Sequence, residues 1–125
     1  TMDILETTDL ADVKDWRSEQ LPIERRKWLD MARILATDPK IIMLDEVMAG
    51  LNPSEIESSV KMVRRLNEKG ITILFIEHVM KAVVNLCTRI VVLNEGKLLC
   101  SGSPQEVMND PSVINAYLGG GMKHA

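Results

Sequence analysis

Lys40-Ile41-Ile42-Met43-Leu44-Asp45-Glu46 and, further along, Phe75-Ile76-Glu77-His78 are the stretches whose reading decides the fold of this chain. In the first, the four apolar residues Ile41 to Leu44 are too few for a helix and do not alternate with polar ones, which predicts a strand buried on both faces of a parallel sheet. The apolar run Ile71 to Ile76 predicts a second strand of the same kind. Each run stops on polar side chains, Asp45 and Glu46 in one case and Glu77 and His78 in the other. These are expected at the carboxyl ends of neighbouring strands, the edge where open α/β sheets bind ligands. No G-x-x-x-x-G-K-[ST] phosphate loop occurs within the 125 residues, so the candidate catalytic side chains come without a phosphate cradle.

Working outward, Asn52-Pro53-Ser54-Glu55 is a strong helix start. Asn52 serves as N-cap, Pro53 takes the first helical position, and Glu55 is placed to reach back to the cap. Ile56, Val60, Val63 and Leu66 give that helix its apolar face, and Lys69-Gly70 ends it. Before the first strand, Trp28, Met31, Ala32 and Leu35 form one stripe of a helix spanning 22–37, with Glu24, Lys27, Asp30 and Arg33 opposite. Asp38-Pro39 closes it. Ile4, Leu5 and Leu10 suggest one or two short helical pieces within 2–17.

Beyond the second strand, a helix is expected over 78–87, a strand over 89–93, a turn at 94–96 and a hairpin partner over 97–100. Short helices at 103–108 and 111–118 and a frayed tail at 119–125 complete the reading. The order β-α-β-α-β-β describes an α/β fold, one layer of mainly parallel sheet with its helices and a C-terminal β-hairpin, cut from something larger.

Composition narrows the function. The chain is 46% hydrophobic, enough for about one domain's core, and its 15 basic and 18 acidic side chains give a net charge of −3. Without a long run of Lys or Arg, and with Trp16 and Trp28 too isolated to form a stacking platform, no nucleic-acid partner is expected. No segment reaches the ~20 apolar residues that span a bilayer. Cys87 and Cys100 lie in apolar stretches without C-x-x-C spacing and read as buried thiols of a reducing compartment, which makes the expected location cytoplasmic. The eight methionines, scattered through apolar stripes, read as core filling, and Trp28 as an anchor between helix and sheet.

An aspartate at the end of a buried strand suits Mg²⁺, which prefers oxygen ligands and keeps several of its waters. A glutamate beside it is suited to polarising an attacking water, and a histidine on the adjacent strand to contacting a terminal phosphate. This division of labour fits phosphoryl transfer, where positioning and charge stabilisation carry most of the catalysis. The plainer alternative is that Asp45 and Glu46 cap a loop and His78 caps a helix.

Leu44-Asp45-Glu46-Val47-Met48-Ala49-Gly50-Leu51-Asn52-Pro53 resembles the Walker B motif and D-loop of ATP-binding cassette proteins, and Ile76-Glu77-His78-Val79-Met80 resembles their switch histidine. Upstream, Ala32-Arg33 and Leu35-Ala36-Thr37-Asp38-Pro39 are similar to the helix that leads into Walker B. Downstream, Gly96-Lys97, Gly102-Ser103-Pro104, Glu106-Val107 and Ala116-Tyr117-Leu118-Gly119 resemble the C-terminal end of branched-chain amino acid importers. The resemblance implies a partial P-loop NTPase fold: 1–37 as part of a helical subdomain, 38–118 as half of the catalytic core, and 119–125 as a tail. It implies Asp45 as the Mg²⁺ residue, Glu46 as the catalytic carboxylate, His78 as the γ-phosphate sensor, and Asn52 in the D-loop facing a partner subunit, where the family usually has aspartate.

A larger departure lies at Leu21, Pro22, Ile23, Glu24 and Arg25, which stand where the family has its Leu-Ser-Gly-Gly-Gln signature for the phosphate held by the other subunit. Pro22 lacks an N–H and Glu24 brings negative charge, with Arg25, Arg26 and Lys27 as compensating cations. By the same resemblance the complete protein would use ATP and Mg²⁺, pair with a second ATPase subunit as a homo- or heterodimer, dock on membrane permease subunits at the inner face of the membrane, in part through residues 2–20, and drive solute import. These residues alone are expected to be inactive. Two other readings stay open: a non-catalytic module that associates through exposed sheet edges, and a metal-dependent hydrolase using Asp45, Glu46, Glu77 and His78 as direct ligands.

Overall fold

The computed structural model describes residues 1–118, so the expectation of a frayed tail lies outside the described residues. Two compact units divide between Ala82 and Val83. In the first, α1 (Met2–Thr7) and a 3₁₀ turn at Ala11–Val13 precede α2 (Ile23–Leu35), β1 (Ile41–Asp45), α3 (Pro53–Glu68) and β2 (Thr72–Ile76). β1 and β2 pair in parallel with Ile41 opposite Thr72 and Asp45 opposite Ile76. α3 crosses between them and packs against β2 and α1. It starts as its sequence dictates: the Asn52 side chain accepts from the Glu55 N–H at 2.9 Å, and the Glu55 carboxylate accepts from the Asn52 N–H at 2.8 Å.

The core of this unit joins Leu10, Trp28, Ala32 and Met62, with Ile4, Leu5, Val13 and Leu29 packed around them. Trp28 therefore anchors helical segments to one another, not a helix to the sheet as expected. Its neighbours come from α1, the 3₁₀ turn, α2 and α3, because the α2 stripe faces Met62 of α3. Asp9 ties the same region to α3 through a two-pronged ion pair with Arg65, at 3.1 and 2.6 Å.

The expectation that β1 is buried on both faces is corrected. Ile42 and Leu44 are buried at 2% exposure each, while Ile41 and Met43 between them are 64% and 66% exposed. On β2, Leu74 opposite Met43 and Ile76 opposite Asp45 are likewise exposed. The strands have the unbroken apolar composition of a doubly covered sheet, but among the described residues only one face has cover.

The second unit, which begins at Val83, contains β3 (Ile90–Asn94), β4 (Lys97–Gly102), α5 (Pro104–Asn109) and α6 (Pro111–Val113), the last running into a π-helical turn at Ile114–Leu118. α4 (Met80–Leu86) leads into it. β3 and β4 form an antiparallel hairpin closed by Glu95 and Gly96, both at positive φ, the two-residue turn that matches strand twist. Among the described residues the four strands thus make two separate two-stranded sheets, not the single layer expected. Cys87 and Cys100 are free thiols, half-buried instead of fully buried.

Candidate functional site

The parallel register sets the site. Asp45 ends β1 beside Ile76, the last residue of β2, so the residues that follow both strands emerge at one rim. Glu46 leaves the strand at a left-handed φ of +48°, a conformation unfavourable for a side chain of its kind. Its backbone N–H donates to the carbonyl of Ile76 at 2.8 Å, which extends the strand pairing by one bond across the turn. Its carboxylate stays largely exposed and lies 3.5 Å from Nδ1 of His78, itself exposed. Asp45 is exposed beside them. Two carboxylates and an imidazole thus share a solvent-facing rim on a tightly fixed backbone.

Glu77 behaves differently from its neighbours. Its side chain is fully buried. One carboxylate oxygen accepts from the backbone N–H of Met48 at 2.8 Å, and the other from those of His78 and Val79 at 3.1 and 3.4 Å. Lys27 of α2 reaches the same loop from another side, donating to the carbonyls of Val47 and Ala49 at 2.7 and 2.6 Å. Met48, 1% exposed, plugs the loop into the interior. Neither Glu77 nor Lys27 was expected to hold this loop. The only sequence signal was a glutamate placed directly before the histidine at the end of an apolar strand.

The reading of Asp45, Glu46, Glu77 and His78 as four direct metal ligands is corrected by this geometry. Glu77 points inward to backbone N–H groups, and among the described residues no cluster of three or more His, Cys, Asp or Glu side chains is spaced to hold an ion. What the rim does offer an ion is the hard, exposed oxygens of Asp45. That donor set suits Mg²⁺, which brings its own waters.

The segment Leu21 to Arg25 lies at the start of α2, tied to the rim loop through Lys27. Leu21 is buried, Pro22 precedes the first helical residue with no N–H to offer, and Ile23 is 64% exposed. Burial raises the pKa of Glu24 above the ordinary glutamate range, with the charge of Glu55 adding to it. Arg25 pairs with Asp12 at 2.9 Å, donates to the Asp9 carbonyl and stacks on Trp28 at 5.5 Å. This pairing holds the Asp12 carboxyl below its usual range. Arg26 donates to the carbonyls of Leu21 and Glu19 at 2.8 and 2.7 Å. All three expected compensating cations are therefore engaged within the chain. The Asn52 oxygen is likewise occupied at its cap.

Sequence and fold now converge. The family model of the branched-chain amino acid ATP-binding cassette transporters matches residues 97–123. The chain is 41% identical to the high-affinity branched-chain amino acid transport ATP-binding protein LivG of Salmonella typhimurium over 92% of its own length and 46% of that protein. It is 39% identical to the corresponding protein BraF of Pseudomonas aeruginosa over the same shares. A crystal structure of the ADP conformation of an ATP-binding cassette of an ABC transporter superposes with a TM-score of 0.85 at 32% identity, covering 94% of this chain and 48% of that one.

In sequence and fold the chain corresponds to the C-terminal half of the ATP-binding cassette ATPases. Within that family it resembles the ATP-binding proteins of branched-chain amino acid transport. It spans about half the length of the relatives it matches, 46% in the case of LivG.

Proposed function

We propose that these residues form the water-activating and phosphate-sensing half of an ATPase subunit that powers solute import, branched-chain amino acids being the class suggested by the relatives. The observation that carries this reading is the parallel register that sets Asp45, Glu46 and His78 on one rim, with Glu46 and His78 3.5 Å apart. Bound Mg-ATP supplies the phosphoryl group for transfer to water. Asp45 would hold the Mg²⁺ ion, Glu46 would orient and deprotonate the attacking water, and His78 would donate to the terminal phosphate. In this reading the subunit pairs with a second ATPase subunit and docks on membrane permease subunits at the inner membrane face. Among the described residues no helix is long and apolar enough to cross a membrane.

Residues 1–125 alone lack the phosphate-loop lysine and its nest of backbone N–H groups, which are the main donors for a triphosphate. Isothermal titration calorimetry on the purified chain is expected to show only weak Mg-ATP binding, and a phosphate-release assay no turnover. Tight binding or turnover by the chain would refute this assignment.

One observation favours a second reading as a non-catalytic association module. Ile41, Met43, Leu74 and Ile76 form an exposed apolar face on the sheet, and such faces are characteristic of surfaces that another polypeptide covers. Size-exclusion chromatography separates the two: a discrete dimer that persists at low micromolar concentration supports the module.

A further inference from the structure

We infer that Glu77 is a positioning residue, a carboxylate latch that fixes the catalytic glutamate and the sensing histidine relative to each other. The inference rests on the ATPase reading for its consequence, but its geometry stands independently. The two carboxylate oxygens divide between two loops distant in sequence. Oε1 accepts from Met48 in the loop that follows Asp45-Glu46, and Oε2 accepts from His78 and Val79 in the loop that follows β2. Backbone N–H groups of both loops thus converge on one buried carboxylate. The latch is buried although the groups it positions are exposed, with side-chain exposures of 0% for Glu77, 59% for Glu46 and 66% for His78. A charged acceptor for backbone N–H groups in such surroundings makes stronger bonds than a neutral one.

The latch also explains a local cost. Glu46 sits at φ +48°, and strained backbone of this kind persists only where its surroundings over-determine it. Glu46 is held on one side by its own N–H donating to Ile76, and two residues later Met48 N–H is held by Glu77. Between these two anchors the turn cannot relax to an ordinary φ without breaking a bond at one end. His78 shares the second anchor through its own N–H. Releasing Glu77 therefore frees both members of the Glu46–His78 pair at once, while leaving Asp45 on its strand.

Two variants test this. Glu77→Gln keeps the shape but leaves one acceptor oxygen, so it can serve one loop and not both; Glu77→Ala serves neither. Hydrogen exchange followed by NMR on the 125-residue chain is expected to show the Met48 or His78 amide exchanging about tenfold faster in Glu77→Gln, with the Ile42 and Leu44 amides unchanged. Unchanged protection at Met48, His78 and Val79 would overturn the latch.

In the full-length subunit, Glu77→Gln is expected to lower kcat about tenfold while KM for Mg-ATP stays within about twofold. In a His78→Ala background the same change should cost less than about twofold, because the pair it aligns is already broken. An equal fold-loss in both backgrounds would reduce Glu77 to a general structural role and overturn the inference. If the unsubstituted full-length subunit hydrolyses no ATP, the functional reading fails, and the exchange measurement still decides the latch.

Discussion

The rim at the ends of β1 and β2 and the start of α2 both present groups suited to a phosphate, and they differ in what those groups already hold. At the rim, backbone contacts carry the structural load: Glu46 N–H pairs with Ile76, and Glu77 and Lys27 grip the intervening loop. The Asp45, Glu46 and His78 side chains are thereby left facing solvent. At the α2 start the load falls on the functional groups themselves. Arg25 holds Asp12 and the Asp9 carbonyl, Arg26 holds two carbonyls, and Pro22 has no N–H. A region is competent for a ligand when its fold is secured by something other than the atoms the ligand needs.

The largest effect that would break this comparison is a functional one. Glu46→Gln removes charge and basicity with little change in shape, and is expected to lower ATP hydrolysis by the full-length subunit about 10²-fold or more, with Mg-ATP affinity nearly unchanged. Arg25→Gln at the α2 start should do less to turnover and more to stability, since Arg25 bridges Asp12, the Asp9 carbonyl and the Trp28 ring. Steady-state kinetics and thermal melting on both variants decide the matter. A larger turnover loss for Arg25→Gln would invert the assignment.

Much of the rim was legible because its signals are local. A short apolar run ending on acids predicts a strand and a rim, and Asn52-Pro53-Ser54-Glu55 predicts a cap that the structure reproduces atom for atom. What escaped was non-local. Glu77 and Met48 are far apart in sequence, and a glutamate beside a histidine at a strand end reads as a ligand before it reads as a buried acceptor. Arg25, Arg26 and Lys27 look like free charges in a linear sequence, because nothing local records that Asp12, Leu21 and Val47 are their partners. The exposed face of β1 was misread for a related reason. Ile41 and Met43 have the apolar composition of a strand covered on both sides, yet both are exposed, and composition alone does not record which face is covered.

A middle-sized effect sharpens the comparison from the side of the rim loop. Asn52 is bound at its cap, so its side chain supports the start of α3. Asn52→Ala is expected to destabilise the chain by about 1 kcal/mol in urea unfolding, the typical worth of an N-cap. Asn52→Asp, which preserves the acceptor, should be nearly neutral. If Asn52→Ala left stability unchanged, the capping bonds would not be contributing and the residue would be free for a partner after all.

The smallest effect concerns Glu24, whose carboxylate at the α2 start is partly buried, with one oxygen lacking a hydrogen-bond partner among the described residues. Burial first, and then the nearby charge of Glu55, raise its folded pKa above the ordinary glutamate value. Below that ordinary value the group is protonated both folded and unfolded, and it costs nothing. As pH rises, the unfolded chain ionises first, and once pH passes the raised folded pKa the folded chain also carries the charge at a penalty, so this contribution to stability is lost toward neutrality. Glu24→Gln never ionises. Its Tm should exceed that of the unsubstituted chain at pH 7 by a small margin that closes as pH falls below the glutamate range. In a Glu55→Gln background the margin should narrow without vanishing, since burial is the larger cause. A Glu24→Gln chain that melts lower at pH 7 would mean the carboxylate is gainfully held, and the α2 start would then resemble the rim more than the geometry indicates.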